Sequence, residues 1–381
     1  MQPRRATIAD VAREAGVAAS TASVVFSGKA GVSDATRERV LSAATALGYT
    51  GPDPRAASLR RGRSGIVAVV FEEQLGAAFL DPVKRLMMDG LTAAVAPLGA
   101  GLLLLHDADA LGDPDEARNE AADTDETDEA DNVDTHPSLT TTPIDAAVLI
   151  GCSPRVRESL EVLHGRGVPV VVIEGDAGAD VPQIRLDNRE AQRVAAAHLR
   201  DLGHTRVATV TLPADAHTGR GWIARGQAIA VDVTAERLAG VRDVFPDAGA
   251  YAAAGSSIDE GLAAGRVMLA DAATRPTAVL AQSDLLAAGV IRAAEEAGLR
   301  VPEDLSVTGF DGVRVDGLAP YELTTLVQEA VTKGRLAGEA IATMLAGDTP
   351  ASTHLTCTFR HGNTTAPVAD PGESAVSRPV E

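Results

Sequence analysis

Over the first fifty residues the apolar positions fall at helical spacing. Ile8, Val11, Ala12 and Ala15 recur every three or four residues, which predicts a short amphipathic helix over 8–15. Thr7 stands just before it with Asp10 three residues on, the arrangement in which two side chains satisfy the unpaired amides of a first turn. Gly16 supplies a residue able to turn left-handed, and Val17 pins the turn. A second helix is predicted over 19–26, its outer face built of small hydroxyl and methyl side chains. Ser33 can cap a third, whose apolar face is Val40, Ala43, Ala44 and Leu47 and which closes at Gly48-Tyr49. Helix, glycine turn and short helix is the helix-turn-helix geometry, whose second helix enters the DNA major groove. The same pattern also describes a helical hairpin in an all-α domain.

After residue 64 the pattern changes to short apolar runs separated by amphipathic stretches. Runs at 65–71, 102–105, 146–150, 168–173, 207–212, 278–281 and 305–310 read as strands buried on both faces. Between them, 82–98 and 155–165 read as helices, and Asp187 or Asn188 caps another that ends at Gly203-His204. His204, at a helix end, is expected to serve the C-terminal carbonyls. Residues 275–313 read as strand, Asp284, helix, Gly298, turn, strand and Gly-Phe-Asp. Strands alternating with helices twice over predict two doubly wound lobes with a cleft between them.

Taken in order, these segments carry a resemblance. TIADVAREAGV from Thr7, the Thr-Ala-Ser core of the second helix, LGY at 47–49, AASLR at 56–60 and the apolar strand after it closely resemble the LacI family of bacterial regulators. The resemblance continues through IRLDNREAQ at 184–192, RLAG from Arg237, which resembles the start of the family's next helix, the 275–313 block and LTTLVQ at 323–328. It then implies a return helix to about 345 and a last strand over 353–359. The fold implied is α/β: a three-helix helix-turn-helix head over 1–50, a hinge over 51–64, and a two-lobed periplasmic-binding-protein-like effector domain over 65–361. Its N-lobe is expected at 65–187 and 329–348, its C-lobe at 188–328 and 353–361.

Charge sharpens this division. The chain carries −19 overall, yet residues 1–63 carry +5, leaving −24 for the rest. A basic head on an acidic body suits phosphate contact by the head alone. Residues 107–136 hold thirteen acids, a single base (Arg118) and few apolar side chains, so an acidic disordered loop is expected over 108–141, with a disordered tail over 362–381. Cys152 and Cys357, 205 residues apart, exclude a disulfide scaffold and suggest free thiols in a reducing cytoplasm. The N-terminus lacks the apolar stretch of a secretory signal, and no run approaches a membrane span. A cytoplasmic protein is expected.

Candidate contacts follow. Thr7, Ser20, Thr21, Lys29 and Ser33 can donate to phosphates. The resemblance places base reading at Ala19, Ser20 and Val24, all short where relatives often carry long polar or Arg side chains, which leaves room for contacts to thymine methyls and through water. Ala18 cannot cap the second helix. The resemblance makes Leu59 a minor-groove wedge between paired hinge helices, with Arg55, Arg60 and Arg61 on phosphates. A small ligand belongs in the crevice beyond the carboxyl ends of the strands. There the resemblance assigns Arg237 and its acidic partner Asp284 to the effector; Asp311, directly after the strand 305–310, is a further candidate, and the aromatic faces of Phe79 and Trp222 are candidate stacking platforms for a sugar ring. Asp284 as a helix cap and Phe79 as core are the plainer alternatives. No catalytic motif, metal-spaced cysteine pair or dinucleotide loop is present, and no cofactor is expected. The expectation is an effector-controlled repressor, a homodimer on a palindromic operator. The rivals are an unregulated sugar-binding module and a doubly wound enzyme.

Overall fold

The computed structural model describes residues 6–27, 30–51, 62–72, 74–106, 138–151, 155–215 and 219–368. The chain divides into two units, 1–65 and 66–381. In the first, helices α1 (Ile8–Glu14), α2 (Ala19–Phe26) and α3 (Asp34–Ala46) enclose Val11, Ala12, Ala22, Val25, Val40, Ala43 and Ala44. The core side chains are small, so the three helices pack closely, and Phe26 meets Tyr49 edge-on at 5.2 Å to close one end.

The second unit contains two sheets. One comprises β1 (Ile66–Phe71), β2 (Gly101–His106), β3 (Ala146–Ile150), β4 (Val170–Ile173), β5 (Gln183–Leu186) and β12 (Thr353–Leu355). Its order is β12-β5-β4-β3-β1-β2, and every pair is parallel. The other comprises β6 (Val207–Thr211), β7 (Gly221–Trp222), β8 (Gly249–Ala252), β9 (Ala278–Ala281), β10 (Ser306–Asp311), β11 (Thr324–Val327) and β13 (Thr358–Arg360). Its order is β13-β11-β10-β9-β6-β8-β7, parallel except for the antiparallel strand at each edge.

Helices cover both faces of each sheet, which is why the central strands are apolar throughout. On the first sheet, α5 (Pro82–Val95) and α11 (Ala330–Leu345) pack on one face and α6 (Arg155–Gly165) on the other. A short helix, α4 (Leu75–Leu80), precedes α5. On the second sheet, α9 (Ile258–Leu269) and α10 (Asp284–Glu296) cover one face, with α7 (Asn188–Asp201) and α8 (Asp232–Arg242) placed toward the other. Helices α5 and α11 touch backbone to backbone. A Cβ on Gly90 would lie 2.0 Å from the Val331 carbonyl oxygen, and one on Gly334 would lie 1.8 Å from that of Met87. Glycine is required there because nothing larger fits between the two helices.

Four expectations are corrected. The last strand is two strands, β12 in the first sheet and β13 in the second, because the chain crosses between lobes at Thr356 and Cys357. The acidic loop ends earlier than residue 141: Leu139 is fully buried, and the Arg166 guanidinium donates to the carbonyls of Leu139 and Thr142. Residues 107–137 lie outside the described residues. The tail is anchored to Val368. Thr364 is buried and exchanges hydrogen bonds with Val307, and the Val368 amide donates to the Leu202 carbonyl at 3.0 Å. His204 is structural, but it does not serve helix carbonyls through its ring. The ring bridges Thr277 Oγ1 (2.9 Å), Ser306 Oγ (3.1 Å) and the Ala366 carbonyl (3.1 Å), pinning the tail to the sheet.

Among the described residues no helix is long and apolar enough to cross a membrane. Gly334→Ala is predicted to destabilise the second unit by about 1–3 kcal/mol, the usual range for overpacking. A shift in denaturation midpoint with an unchanged slope would show it; an unshifted midpoint would mean that the helices separate freely.

Candidate functional site

In the helical unit, α1 begins with a reciprocal cap. The Asp10 amide donates to Thr7 Oγ1 at 3.3 Å, and the Thr7 amide and hydroxyl donate to the Asp10 carboxylate at 3.0 and 2.7 Å. Those bonds, with Arg13 at 2.6 Å, hold the Asp10 carboxyl down at about 2. Thr7 therefore has a local structural role in addition to any contact with phosphate. Gly16, at φ +65°, turns the chain, and the Val17 amide donates back to Ala12. Helix α2 starts at Ala18 without a side-chain cap, buries Ala22 and Val25, and leaves Ala19 and Ser20 exposed with Thr21 and Val24 half-buried. That outward face is short and uncharged. Ser33 accepts from the Thr36 amide at 3.4 Å and caps α3. Lys29, Arg55, Leu59 and Arg60 lie outside the described residues.

In the second unit, a cavity of about 430 Å³ opens at the carboxyl ends of the parallel strands, between the two sheets. Arg237 and Asp311 both line it. Arg237 sits midway along α8, a correction to its expected place at a helix start, and points inward from the buried stripe Val233, Thr234, Leu238 and Val241. Its Nε donates to Asn188 Oδ1 at 2.8 Å and an Nη to the Gln282 carbonyl at 2.6 Å, while its guanidinium lies 3.5 Å above the Phe310 ring. Gln282 is fixed in turn by accepting from the Leu212 amide at 3.1 Å and donating to the Thr234 carbonyl at 3.2 Å.

Asp311 ends β10 at φ +116°, a backbone conformation that L-residues rarely adopt and that turns its carboxylate toward the cavity. Gln328 Nε2 donates to it at 2.6 Å. Burial pushes the Asp311 carboxyl well above the usual range, against the pull of Arg237, and the nearby Asp284 and Asp81 add to the rise. Asp81 caps α5 by accepting from the Val83 amide at 2.8 Å and is likewise raised by burial.

Three expected contacts are not brought to the cavity. Asp284 is fully buried behind it, accepting from Thr325 Oγ1 at 2.5 Å and from the Val313 amide at 2.8 Å. Neither does it cap α10: Ser283 does, accepting from the Leu286 amide. A Cβ on Gly309 would lie 2.2 Å from Asp284 Oδ1, so the glycine of Gly-Phe-Asp makes room for that carboxylate. Phe79, half exposed on α4, leans on Phe71 with ring centroids 6.4 Å apart. Trp222 lies on the edge strand β7, packed on Gly249 and edge-on to Tyr251 at 5.5 Å. No aromatic ring lines the cavity among the described residues.

Of the charged lining residues that the sequence reading did not reach, Glu174 and Lys333 each left a trace. Glu174 is an acid directly after the four-residue apolar strand β4. Lys333 is a cation on the buried stripe of α11, 1% exposed beside Ala330, Gly334 and Ala337. They form an ion pair. Burial opposes the Glu174 charge, but Lys333, Arg237 and Asn188 outweigh it and hold the carboxyl below its usual range. Among the described residues no group of three His, Cys, Asp or Glu side chains could hold a metal ion. Cys357 is half-buried, with its thiol pushed up to about 12 by burial, while Cys152 lies outside the described residues.

The family model for bacterial regulatory proteins of the lacI family matches residues 7–51, and that for a periplasmic binding protein-like domain matches 196–365. An HTH-type transcriptional regulator of Mycolicibacterium smegmatis is 31% identical over 388 aligned residues, covering 96% of this chain and 98% of its own. The chain belongs to the LacI family. It is a DNA-binding transcriptional regulator and not an enzyme. Its LacI-family relatives include the HTH-type transcriptional repressor CytR of Escherichia coli, 29% identical over 88% of each chain. The fold matches that of a lac repressor dimer solved with operator and the anti-inducer ONPF, with a TM-score of 0.71 and 21% identity over 95% of this chain and 100% of that one. It also matches a CelR–cellobiose complex, with a TM-score of 0.62 and 24% identity over 94% of this chain and 100% of that one.

Asp284 gives the second unit a pH dependence. Burial, against hydrogen bonds from Thr325 and Val313, pushes its carboxyl up to about 7 from the ordinary 3.8. Folding then favours the protonated form, so its contribution is complete below 3.8 and is lost as the pH rises through about 7. Thermal melts from pH 4 to 8 should show stability falling in that window. Asp284→Asn should lessen the slope without removing it, since Asp311 is raised too. An unaltered slope would show that Asp284 is ionised in the fold.

Proposed function

We propose that the protein is a cytoplasmic repressor that binds a palindromic operator as a homodimer and releases or grips it according to a small, hydroxyl-rich effector held between the two lobes. The observation that supports an effector site best is the convergence of Arg237 and Asp311 on one cavity at the carboxyl ends of the strands. Arg237 is preset by Asn188, Gln282 and Phe310, so little side-chain freedom is lost when a ligand arrives. Guanidinium and carboxylate groups together grip vicinal hydroxyls, the guanidinium donating and the carboxylate accepting. The transcriptional regulator CelR solved with cellobiose and a LacI family transcriptional regulator of Enterococcus faecium solved with ribose carry sugars, which suits this reading.

The lining narrows the effector further. Among the described residues it offers five carboxyl groups against three cations, and each cation already has a partner: Arg237 with Asn188, Lys333 with Glu174 and Lys84 with Asp81 at 3.8 Å. Such a cavity rejects phosphate and carboxylate groups and favours a neutral polyol. With no aromatic ring in the wall, recognition is by hydrogen bonds instead of stacking. Thermal-shift screening should find neutral sugars or polyols that stabilise the protein by about 2.7 kcal/mol at a hundredfold excess over Kd. Their phosphate esters should shift it less, and Arg237→Ala should abolish the shift. A phosphorylated sugar outperforming its parent would overturn the assignment.

On the DNA side, Ser20, Thr21 and Ser33 contact phosphates, and Ala19 and Val24 meet thymine methyls. Leu59, in the segment 55–61 between arginines, is the minor-groove wedge. Phosphate contact by the +5 head implies a steep loss of operator affinity with salt. Selection of bound sequences from random DNA followed by a salt titration tests this. Recovery of no palindrome, or a flat salt response, would remove the proposed binding mode.

A further inference from the structure

The two lobes are joined by chain segments at Asp187, at 328–329 and at 356–357, and two of these carry side chains of one polar network. It begins in the second lobe at Asp311, which accepts from Gln328 Nε2 at 2.6 Å on the second crossing. Gln328 Oε1 accepts from Lys333 Nζ, and the same ammonium is paired with Glu174 of the first lobe. Glu174 accepts from Asn188 Nδ2 at 3.0 Å at the first crossing. Asn188 Oδ1 then accepts from Arg237 Nε at 2.8 Å, returning the network to the second lobe. Both ends of this path, Arg237 and Asp311, face the cavity, and its middle is the pair Lys333–Glu174.

Lys333 bonds Gln328 at the second crossing directly and reaches Asn188 at the first through Glu174, so the two crossings are connected only by way of its ammonium within this path. Its side chain is 2% exposed, whereas that of Glu174 is 16% exposed and itself lines the cavity. Glu174 also stands at φ +62°, a second strained residue at a strand end beside the same cavity. Three ammonium donors on a flexible stem can hold a carboxylate and an amide oxygen at once. A burial-driven core would place an apolar residue here, as the rest of the stripe does.

We propose that Lys333 is a positioning residue that locks the first and second interlobe crossings to each other, so that a ligand touching Arg237 and Asp311 reads one lobe arrangement instead of two independent walls. This deepens the effector reading above and rests on it for the ligand's identity alone. The lock itself is a property of the free protein. It assigns Lys333 no direct contact with the ligand.

Removing one charge leaves the other buried and unpaired, so Lys333→Met alone should lower stability whatever the residue does. The double variant Lys333→Met, Glu174→Gln removes both charges while keeping an acceptor for Asn188, and its melting temperature should return to near that of the wild type. Hydrogen exchange on the full-length protein then decides. Amides of 186–190 and 326–330 should exchange at least tenfold faster in the double variant, with β1 and β9 unchanged. Exchange at wild-type rates in both crossings would overturn the proposal, because a merely structural pair is replaced without consequence there. A second arm uses cellobiose and ribose as probes. If either binds the wild type, the double variant should lose at least tenfold in the sugar-induced change of operator affinity, and an undiminished change would count against the lock. If neither binds, the effector reading loses support while the exchange result still settles the lock.

Discussion

Three passages of the backbone between two sheets set the constraint on which this molecule depends. Each passage brings peptide groups and polar side chains out of a strand and into a narrow region where water is partly excluded, so those groups must satisfy one another. Asn188 and Gln328 do this at the first two passages, and each is buried with its amide engaged on both sides. The charged residues Glu174, Lys333, Arg237 and Asp311 are tolerated because these amides connect them. Remove the crossings and there would be no reason for a lysine on the apolar stripe of α11. The cavity is a consequence of the same topology: strands that stop at the crossing region leave their carboxyl ends facing each other across a gap.

Small residues make the rest of the arrangement possible. With aromatic content of only 3%, the core is filled by Ala, Val, Leu and Gly, and helices reach backbone contact at Gly90 and Gly334. Close helix packing fixes α11 against α5, and thereby fixes where Lys333 emerges. Gly309 does the equivalent in the second lobe, admitting the Asp284 carboxylate beneath β10 so that Phe310 can lie under Arg237 and Asp311 can turn outward. The cavity's chemistry is thus set one layer behind its wall.

Most of the architecture was legible in the sequence because burial leaves period-specific traces. Helix α2 at 19–26 and strands β3 and β9 coincide with the apolar patterns that announced them, and the Thr7–Asp10 cap was visible as a spacing. Elements with little apolar contrast escaped: β5 (QIRL), β8 (GAYA) and α9, whose stripe includes Gly261 and Gly265. The break between β12 and β13 is invisible to periodicity, since nothing local distinguishes a strand that changes sheets from one that continues. Among site residues, Arg237 and Asp311 were reached through motifs. Asp284 was misplaced because a motif gives a residue's position along a strand end but not the side of the sheet it faces. Phe79 and Trp222 were chosen for their chemistry, and each found an aromatic neighbour instead of the cavity.

The division of charge along the chain bears on how binding at one site is felt at another. The basic head and the acidic remainder repel different partners, so DNA and a neutral effector do not compete for one electrostatic surface. Coupling between them cannot then be a matter of field alone. It requires two arrangements of the second unit that the effector binds unequally, because a ligand indifferent to the arrangement shifts nothing however tightly it binds. A cavity whose walls come from both lobes meets that requirement: Asp81 and Glu174 belong to one, Arg237 and Asp311 to the other. The Asp81 charge adds to the cost of ionising Asp311 across the gap, an opposition between the two lobes in an empty cleft. A ligand that donates hydrogen bonds to both removes that opposition, and so favours the closed arrangement by an amount that belongs to neither lobe alone.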